Sequence, residues 1–367
     1  MPRKGGGRTL APERKNHPPG PAGGRDLHVR AAADEGLLER LRLRARVLAA
    51  VRAEFDGAGF VEVQTPKLSP AGDPAPHLAS FRSRFHGPHG AVELWLPTSP
   101  EHHHKRLLAA GLERIYEIGP FFRDGELGPL HNPEFTGLEW YAAGDSVADC
   151  MRRTEQLVRG VAERMLGRTR FVRGGVEVDL GPAFRRLSVR DALRELAGVE
   201  APADWNAAGL RRALAAAGIP PDDDRTVDDL VNRALVARVE PALARLGPVF
   251  LTDYPAPMAA LARLRPGAPE VAERFELFAG GLELCNGYGE LTDAAEQRRR
   301  FEQQGAERRR AGLAVPPLDE ALLRALQHGL PDCAGNALGV DRLLMLYTGA
   351  ERIEQVLAFP LADELQG

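Results

Sequence analysis

Apolar residues recur at helical spacing from about Leu37 to Ala58, with Leu41, Val47 and Val51 on the stripe and Gly57 and Gly59 near its end. Phe60-Val61-Glu62-Val63 then alternates with period two, as a strand does, until Thr65-Pro66 stops regular pairing. Between Glu93 and Tyr141 the pattern predicts strand, helix, strand, loop and strand. Val92 to Leu96 is the first strand, and Ser99-Pro100 opens a helix from Glu101 to Ala110, serine before proline being a favourable start. Ile115 to Ile118 and Phe135 to Tyr141 read as an antiparallel hairpin with a long Gly/Pro-containing tip. Helical patterns return at 146–168 and at about 188–245, with a small hairpin at 171–180 around Gly174-Gly175 between them. Strands follow at Val249 to Thr252, Arg274 to Ala279 and Leu282 to Asn286, then a charged helix from Asp293 to Arg310 and a final helix from about Gly339. This order predicts an α+β fold, an antiparallel sheet flanked by helices, with 188–245 as a helical insertion.

Composition changes the picture at one end only. Residues 1–33 are rich in Gly, Pro, Arg and Lys with almost no apolar periodicity, which predicts a disordered basic arm ahead of one folded unit at 34–367. The chain of 367 residues is 44% hydrophobic and 27% charged, the make-up of a globular protein. A net charge of −3 gives no global attraction to nucleic acid or anionic membrane. No apolar run approaches the ~20 residues needed to cross a bilayer, and the basic N-terminus lacks the apolar stretch of a secretory signal. The three cysteines, Cys150, Cys285 and Cys333, have no paired spacing, so neither a disulfide framework nor a zinc site is expected. A cytoplasmic enzyme is the general expectation.

Candidate chemistry lies in acids and arginines. Glu276 and Glu283 flank Gly280-Gly281, a strong hairpin-turn signal that can bring both carboxylates to one end of two strands. Two acids at one site need a cation or proton between them, and a magnesium ion escorting phosphates is the natural guest. On spacing alone, two solvated glutamates on an exposed sheet face are the favoured reading. Glu283, Asn286 and Glu290 lie on a backbone interrupted by Gly287 and Gly289, a pattern that can line a cavity or simply be a turn of small residues. Arg123 follows Phe121-Phe122, and Arg342 follows Gly339-Val340-Asp341 at a helix start. Arginine suits phosphate because its planar fork donates paired hydrogen bonds and keeps its charge, although most arginines lie on surfaces. His102-His103-His104 cannot converge on a metal from consecutive helical positions, so an exposed helix is expected there. Arg298, Arg299, Arg300, Arg308, Arg309 and Arg310 read either as a patch for an acidic protein or as a solvated face.

Three stretches place these residues in a common context. Phe122-Arg123-Asp124-Gly125-Glu126, His131-Asn132-Pro133-Glu134-Phe135-Thr136 and Leu138-Glu139-Trp140-Tyr141 together resemble motif 2 of class II lysyl-tRNA synthetases. Gly339-Val340-Asp341-Arg342 followed by Leu343-Leu344-Met345-Leu346 resembles motif 3. The helix ending in Gly59-Phe60-Val61-Glu62-Val63 with Thr65-Pro66 resembles motif 1, which in that class forms the dimer interface, so the resemblance implies a homodimer. It also implies the class II catalytic fold with ATP and Mg²⁺. Arg123 would bridge the α-phosphate and the substrate carboxylate, Arg342 would hold the γ-phosphate, and His131 would sit near the triphosphate. Phe135 would stack on adenine beside Asn132. Glu276 and Glu283 match the magnesium pair, and Glu101 matches the acid that receives the α-ammonium. Glu139, Tyr141 and Glu290 match the pocket for the ε-ammonium, lined by Asn286 and Tyr288.

Within that family the chain looks most like free-standing paralogues that activate (R)-β-lysine and transfer it to a lysine of elongation factor P. The match runs through Glu139-Trp140-Tyr141 and Pro331 to Gly339, and only the predicted arm precedes motif 1, leaving no space for an anticodon-binding barrel. Ala337 stands where tRNA-charging relatives usually have glycine, and its methyl would disfavour α-lysine. The resemblance therefore implies elongation factor P as partner, lysine or β-lysine as substrate, and no membrane or tRNA. A minimal tRNA-charging enzyme and a silent regulator are the alternatives. One departure stands out: Gly125 occupies the family's motif 2 glutamate position, with Glu126 one residue later.

Overall fold

The alternating stretches around Ile115 and Phe135 form part of a nine-stranded sheet, in a computed structural model that describes residues 27–88 and 90–365. In chain order the strands are β1 (Val61–Glu62), β2 (Arg82–Gly87), β3 (Gly90–Trp95), β4 (Arg114–Phe122), β5 (Glu134–Ala143), β6 (Arg170–Arg173), β7 (Val176–Asp179), β8 (Arg185–Ser188), β9 (Val249–Pro255), β10 (Leu264–Arg265), β11 (Ala268–Ala279), β12 (Leu282–Gly289) and β13 (Cys333–Gly339). The α-helices are α1 (Leu27–Ala33), α2 (Leu37–Gly57), α3 (Glu101–Ala109), α4 (Val147–Leu166), α5 (Val189–Ala197), α6 (Ala207–Ala216), α7 (Val227–Ala234), α8 (Glu240–Leu243), α9 (Ala294–Arg310), α10 (Glu320–Gly329), α11 (Val340–Thr348) and α12 (Leu361–Glu364).

The large sheet runs β1-β4-β5-β13-β12-β11-β9-β8, with β10 on β11, while β2–β3 and β6–β7 are separate hairpins. Its interior is antiparallel as expected, but the edge pairs β1–β4 and β8–β9 are parallel. Parallel neighbours need a long crossover, and the helical insertion, α5 to α8, supplies one between β8 and β9.

Alternation decides which face packs. Tyr116, Leu138, Trp140, Leu277, Cys285 and Leu338 turn to one side and form the main core with α2, α4 and α11. The insertion buries its own core, including Leu193, Leu214 and Leu230, against Val249 and Leu251 of β9. A third cluster joins Leu108 of α3, Phe301 of α9 and Leu322 and Leu326 of α10 to Ile115 and Tyr141.

Four readings need correction. Residues 27–33 of the predicted arm form α1, which Arg30 fastens to the C-terminal segment. Its guanidinium bonds the carbonyls of Glu354 (2.6 Å) and Leu357 (3.1 Å) and pairs with Asp363 at 2.9 Å. Residues 1–26 of that arm lie outside the described residues. α11 is followed by the short α12 and so is not the last helix. The helix bearing His102-His103-His104 is packed: His104 is fully buried against Glu117, and His102 pairs with Asp319. Finally, two of the six helix arginines brace the fold. Arg308 bonds the carbonyls of Ala75, Leu78 and Ala314, and Arg300 those of Ala260 and Ala262.

Candidate active site

The site is the sheet face opposite the main core, and strand register assembles it. Gly280 and Gly281, both at positive φ, make the two-residue turn between β11 and β12. Phe278 then opposes Glu283, but Leu277 opposes Cys285, so Leu284 is an extra residue in a β-bulge. On an unbroken strand residues 283 and 286 would face opposite sides. The bulge turns both Leu284 and Cys285 into the core and leaves Glu283 and Asn286 on the same face.

From there one row of paired positions crosses five strands: Glu276, Asn286, Ala337, Glu139 and Glu117. The neighbouring row on one side is Arg274, Tyr288, Gly335 and Tyr141. On the other side Gly339, Gly137 and Gly119 form a strip without side chains, and beyond it Phe121 pairs with Phe135. Over this floor lies a cleft of about 820 Å³, its open mouth included.

Cations gather at one end. Arg342 donates to the Glu283 carbonyl at 2.9 Å and to its carboxylate at 3.3 Å, and lies 2.6 Å from the His131 Nε2. Burial and the Arg342 charge push the His131 imidazole below its usual value. Arg123 covers the Phe135 ring, 5.1 Å from its centroid, and stands 3.7 Å from Glu126. Gly125 at φ +82° makes the turn that brings Glu126 to the cleft wall in place of its neighbour. Asn132 reaches the wall too, but its amide is committed, donating to the Glu134 carbonyl and accepting from the Leu361 N–H.

Acids gather at the other end. Glu139 is buried and accepts hydrogen bonds from Tyr141 at 2.6 Å and from Ser99 at 2.9 and 3.0 Å. Burial and the nearby Glu101 charge push its carboxyl up to about 8, against the pull of those two donors. Glu290 is fully buried, and burial together with Glu101 pushes it up as well, restrained by Lys105. Glu101, Tyr141, Tyr288, Glu290 and Glu276 do not line this cleft, whereas the other predicted site residues do.

The family profile of tRNA synthetases class II (D, K and N) matches residues 25–363. The chain belongs to this family. Curated relatives include the elongation factor P–(R)-β-lysine ligase of Yersinia enterocolitica, 40% identical over 328 residues covering 88% of this chain and 95% of the relative. The protein of the same name from Edwardsiella ictaluri is 42% identical over 323 residues, 86% of this chain and 93% of the relative.

In this class II synthetase chain the two candidate metal acids meet one requirement and leave another open. Glu276 and Glu283 offer hard oxygen donors on one face, and the charge of Glu283 adds to burial in raising Glu276. Glu276 is also held by Tyr254 and Arg274, each at 2.6 Å. No cluster of three or more metal-binding side chains occurs among the described residues. Such a pair suits Mg²⁺, which keeps water and phosphate oxygens as its other ligands.

Three further polar residues border or brace this site, and the sequence reading gave none of them a role in it. Glu240 on α8 is raised by burial and by the charges of Glu283 and Glu276. Asp341 accepts the Thr136 N–H at 2.8 Å and pairs with Arg44, pinning the start of α11 to β5 and α2. Besides opening α3, Ser99 links Glu139 to the Glu101 N–H through its hydroxyl. Only Asp341, inside the motif 3 stretch, carried a sequence signal.

Proposed function

We propose that the chain is an ATP-dependent, AMP-forming ligase that activates (R)-β-lysine and transfers it to a lysine ε-amine of elongation factor P. The relatives' names point to that reaction. The observation that carries it is the polarity of one cleft, with arginines at one end and Glu139 with Tyr141 at the other. A diamino acid lying across the glycine strip would put its carboxylate toward Arg123 and an ammonium toward Glu139.

The substrate carboxylate oxygen then attacks the α-phosphorus, forming the acyl–phosphate bond as the bond to pyrophosphate breaks. Arg123 holds the negative charge that gathers there and Arg342 the γ-phosphate of the departing pyrophosphate, so the work is mainly positioning and fixed electrostatics. Mg²⁺, held by Glu276 and Glu283, would neutralise phosphate charge. An incoming ε-amine attacks the acyl carbon, forms the amide and expels AMP. Phe135 supplies an apolar face for adenine, and Glu126 stands in for the acid missing at Gly125. The Ala337 methyl, between Asn286 and Glu139 in the row, selects the β-amino isomer. We place the enzyme in the cytoplasm as a homodimer through α2 and β1. No helix among the described residues is long and apolar enough to cross a membrane.

Purified protein with ATP, Mg²⁺ and labelled (R)-β-lysine should label elongation factor P and leave tRNA unlabelled. Labelled tRNA with unlabelled elongation factor P would overturn the assignment.

A further inference from the structure

Lys105 lies one helical turn beyond Glu101 on α3, so both side chains leave the same face. It is wholly buried, with its ammonium 2.6 Å from the Glu101 Oε1 and 2.7 Å from the Glu290 Oε2. A buried lysine is stable only when opposite charge surrounds it, and these are two of the three acids, with Glu139, that the resemblance assigned to substrate amines. By hydrogen-bond geometry the Lys105 ammonium and both Glu290 oxygens lack partners; Oε2 is the oxygen at ion-pair distance from Lys105, and the other, Oε1, is buried. It points beside Gly335, where an added Cβ would come within 2.7 Å of it and 2.3 Å of the Tyr141 ring. Tyr141 in turn donates to Glu139. Lys105 therefore pairs with two acids, Glu101 and Glu290, while the third, Glu139, is held by the hydroxyls of Tyr141 and Ser99.

We infer that Lys105 is a positioning residue for diamine recognition. Its ammonium holds Glu101 and one Glu290 oxygen, closes the deep end of the pocket, and leaves Glu139 with the free Glu290 oxygen as the seat for a substrate ammonium. This rests on the diamino-acid reading above. The pocket's depth is then set by the protein's own side chain, and a substrate amine must stop at the Glu139 row.

ATP–pyrophosphate exchange on the full chain tests this, with wild type, Lys105→Ala, Lys105→Met and Lys105→Arg compared. In Lys105→Ala the KM for (R)-β-lysine should rise at least about tenfold while the KM for ATP stays unchanged. Added methylammonium should restore that KM in Lys105→Ala and do nothing to wild type, and Lys105→Arg should retain most of the affinity. If Lys105→Ala does not fold, as judged by circular dichroism, Lys105→Met of similar volume carries the same KM comparison. An unchanged amino-acid KM in a folded Ala or Met variant would sink the inference, as would equal losses in both substrates without amine rescue. Failure of wild-type exchange with every lysine isomer would instead remove the diamino-acid reading itself.

Discussion

Glu139 illustrates how one residue stores information about its ligand. Its folded carboxyl titrates near 8 because burial and Glu101 disfavour the charge. Between the ordinary carboxylate range and about pH 8 the folded chain binds a proton that the unfolded chain has lost. Glu139 therefore contributes most stability below about pH 4.5, and that contribution declines as pH rises through 8. The melting temperature of the ligand-free protein should fall from pH 6 to pH 9, with a shallower slope in Glu139→Gln. A bound ammonium favours the ionised carboxylate, so β-lysine binding at pH 7 should release about one proton, measurable by calorimetry in buffers of different ionisation enthalpy. Ala337→Gly removes one methyl from the row, and relative kcat/KM should move toward α-lysine by about 10–200-fold. Residue identities such as Glu139 and Arg342 were legible because their motif strings fix them. Lys105 was not, since only the fold brings Glu290 to the helix that carries it.

Among the elements, Glu117 acts as a tie. It accepts hydrogen bonds from Thr65 (2.8 Å), Lys67 (2.7 Å) and His104 (3.0 Å), joining β4 to α3 and to the segment after β1. Burial alone would raise this carboxyl, but the His104, Lys67 and Thr65 hydrogen bonds outweigh it and hold the group at about 2. Its stabilisation is present above about pH 4.5 and is lost as pH falls toward 2. Glu117→Gln leaves the half-buried Lys67 and the buried His104 without their carboxylate, and denaturant unfolding at pH 7 should show a loss of about 1–3 kcal/mol. Elements with a clear apolar stripe, such as α4, could be read from the sequence. β13 could not, because Cys333-Ala334-Gly335-Asn336-Ala337-Leu338-Gly339 consists largely of small residues chosen for close approach: a Cβ at Gly335 would strike Tyr141. The Leu284 bulge was equally hidden, being a property of two strands together.

For the molecule as a whole, two ends of the chain are joined at α1. Arg30→Ala removes the bonds to the C-terminal carbonyls and the pair with Asp363, and limited proteolysis should then cut near residue 33 or in 354–363 well before the domain unfolds. The α+β architecture and the helical insertion were visible in the order of elements; the parallel edges were not, because connection geometry rather than composition sets strand direction. The strip of Gly119, Gly137 and Gly339 has a practical outcome. A Cβ at Gly137 would collide with Phe121, but one at Gly339 meets nothing nearer than 3.8 Å, and Gly339 already has φ −77°, which alanine adopts freely. Gly339→Ala should melt with the parent protein yet show a raised KM, about tenfold, for whichever molecule rests there. A single methyl at that spot thus works as a footprint reporter, invisible to the folding equilibrium and felt only by cargo.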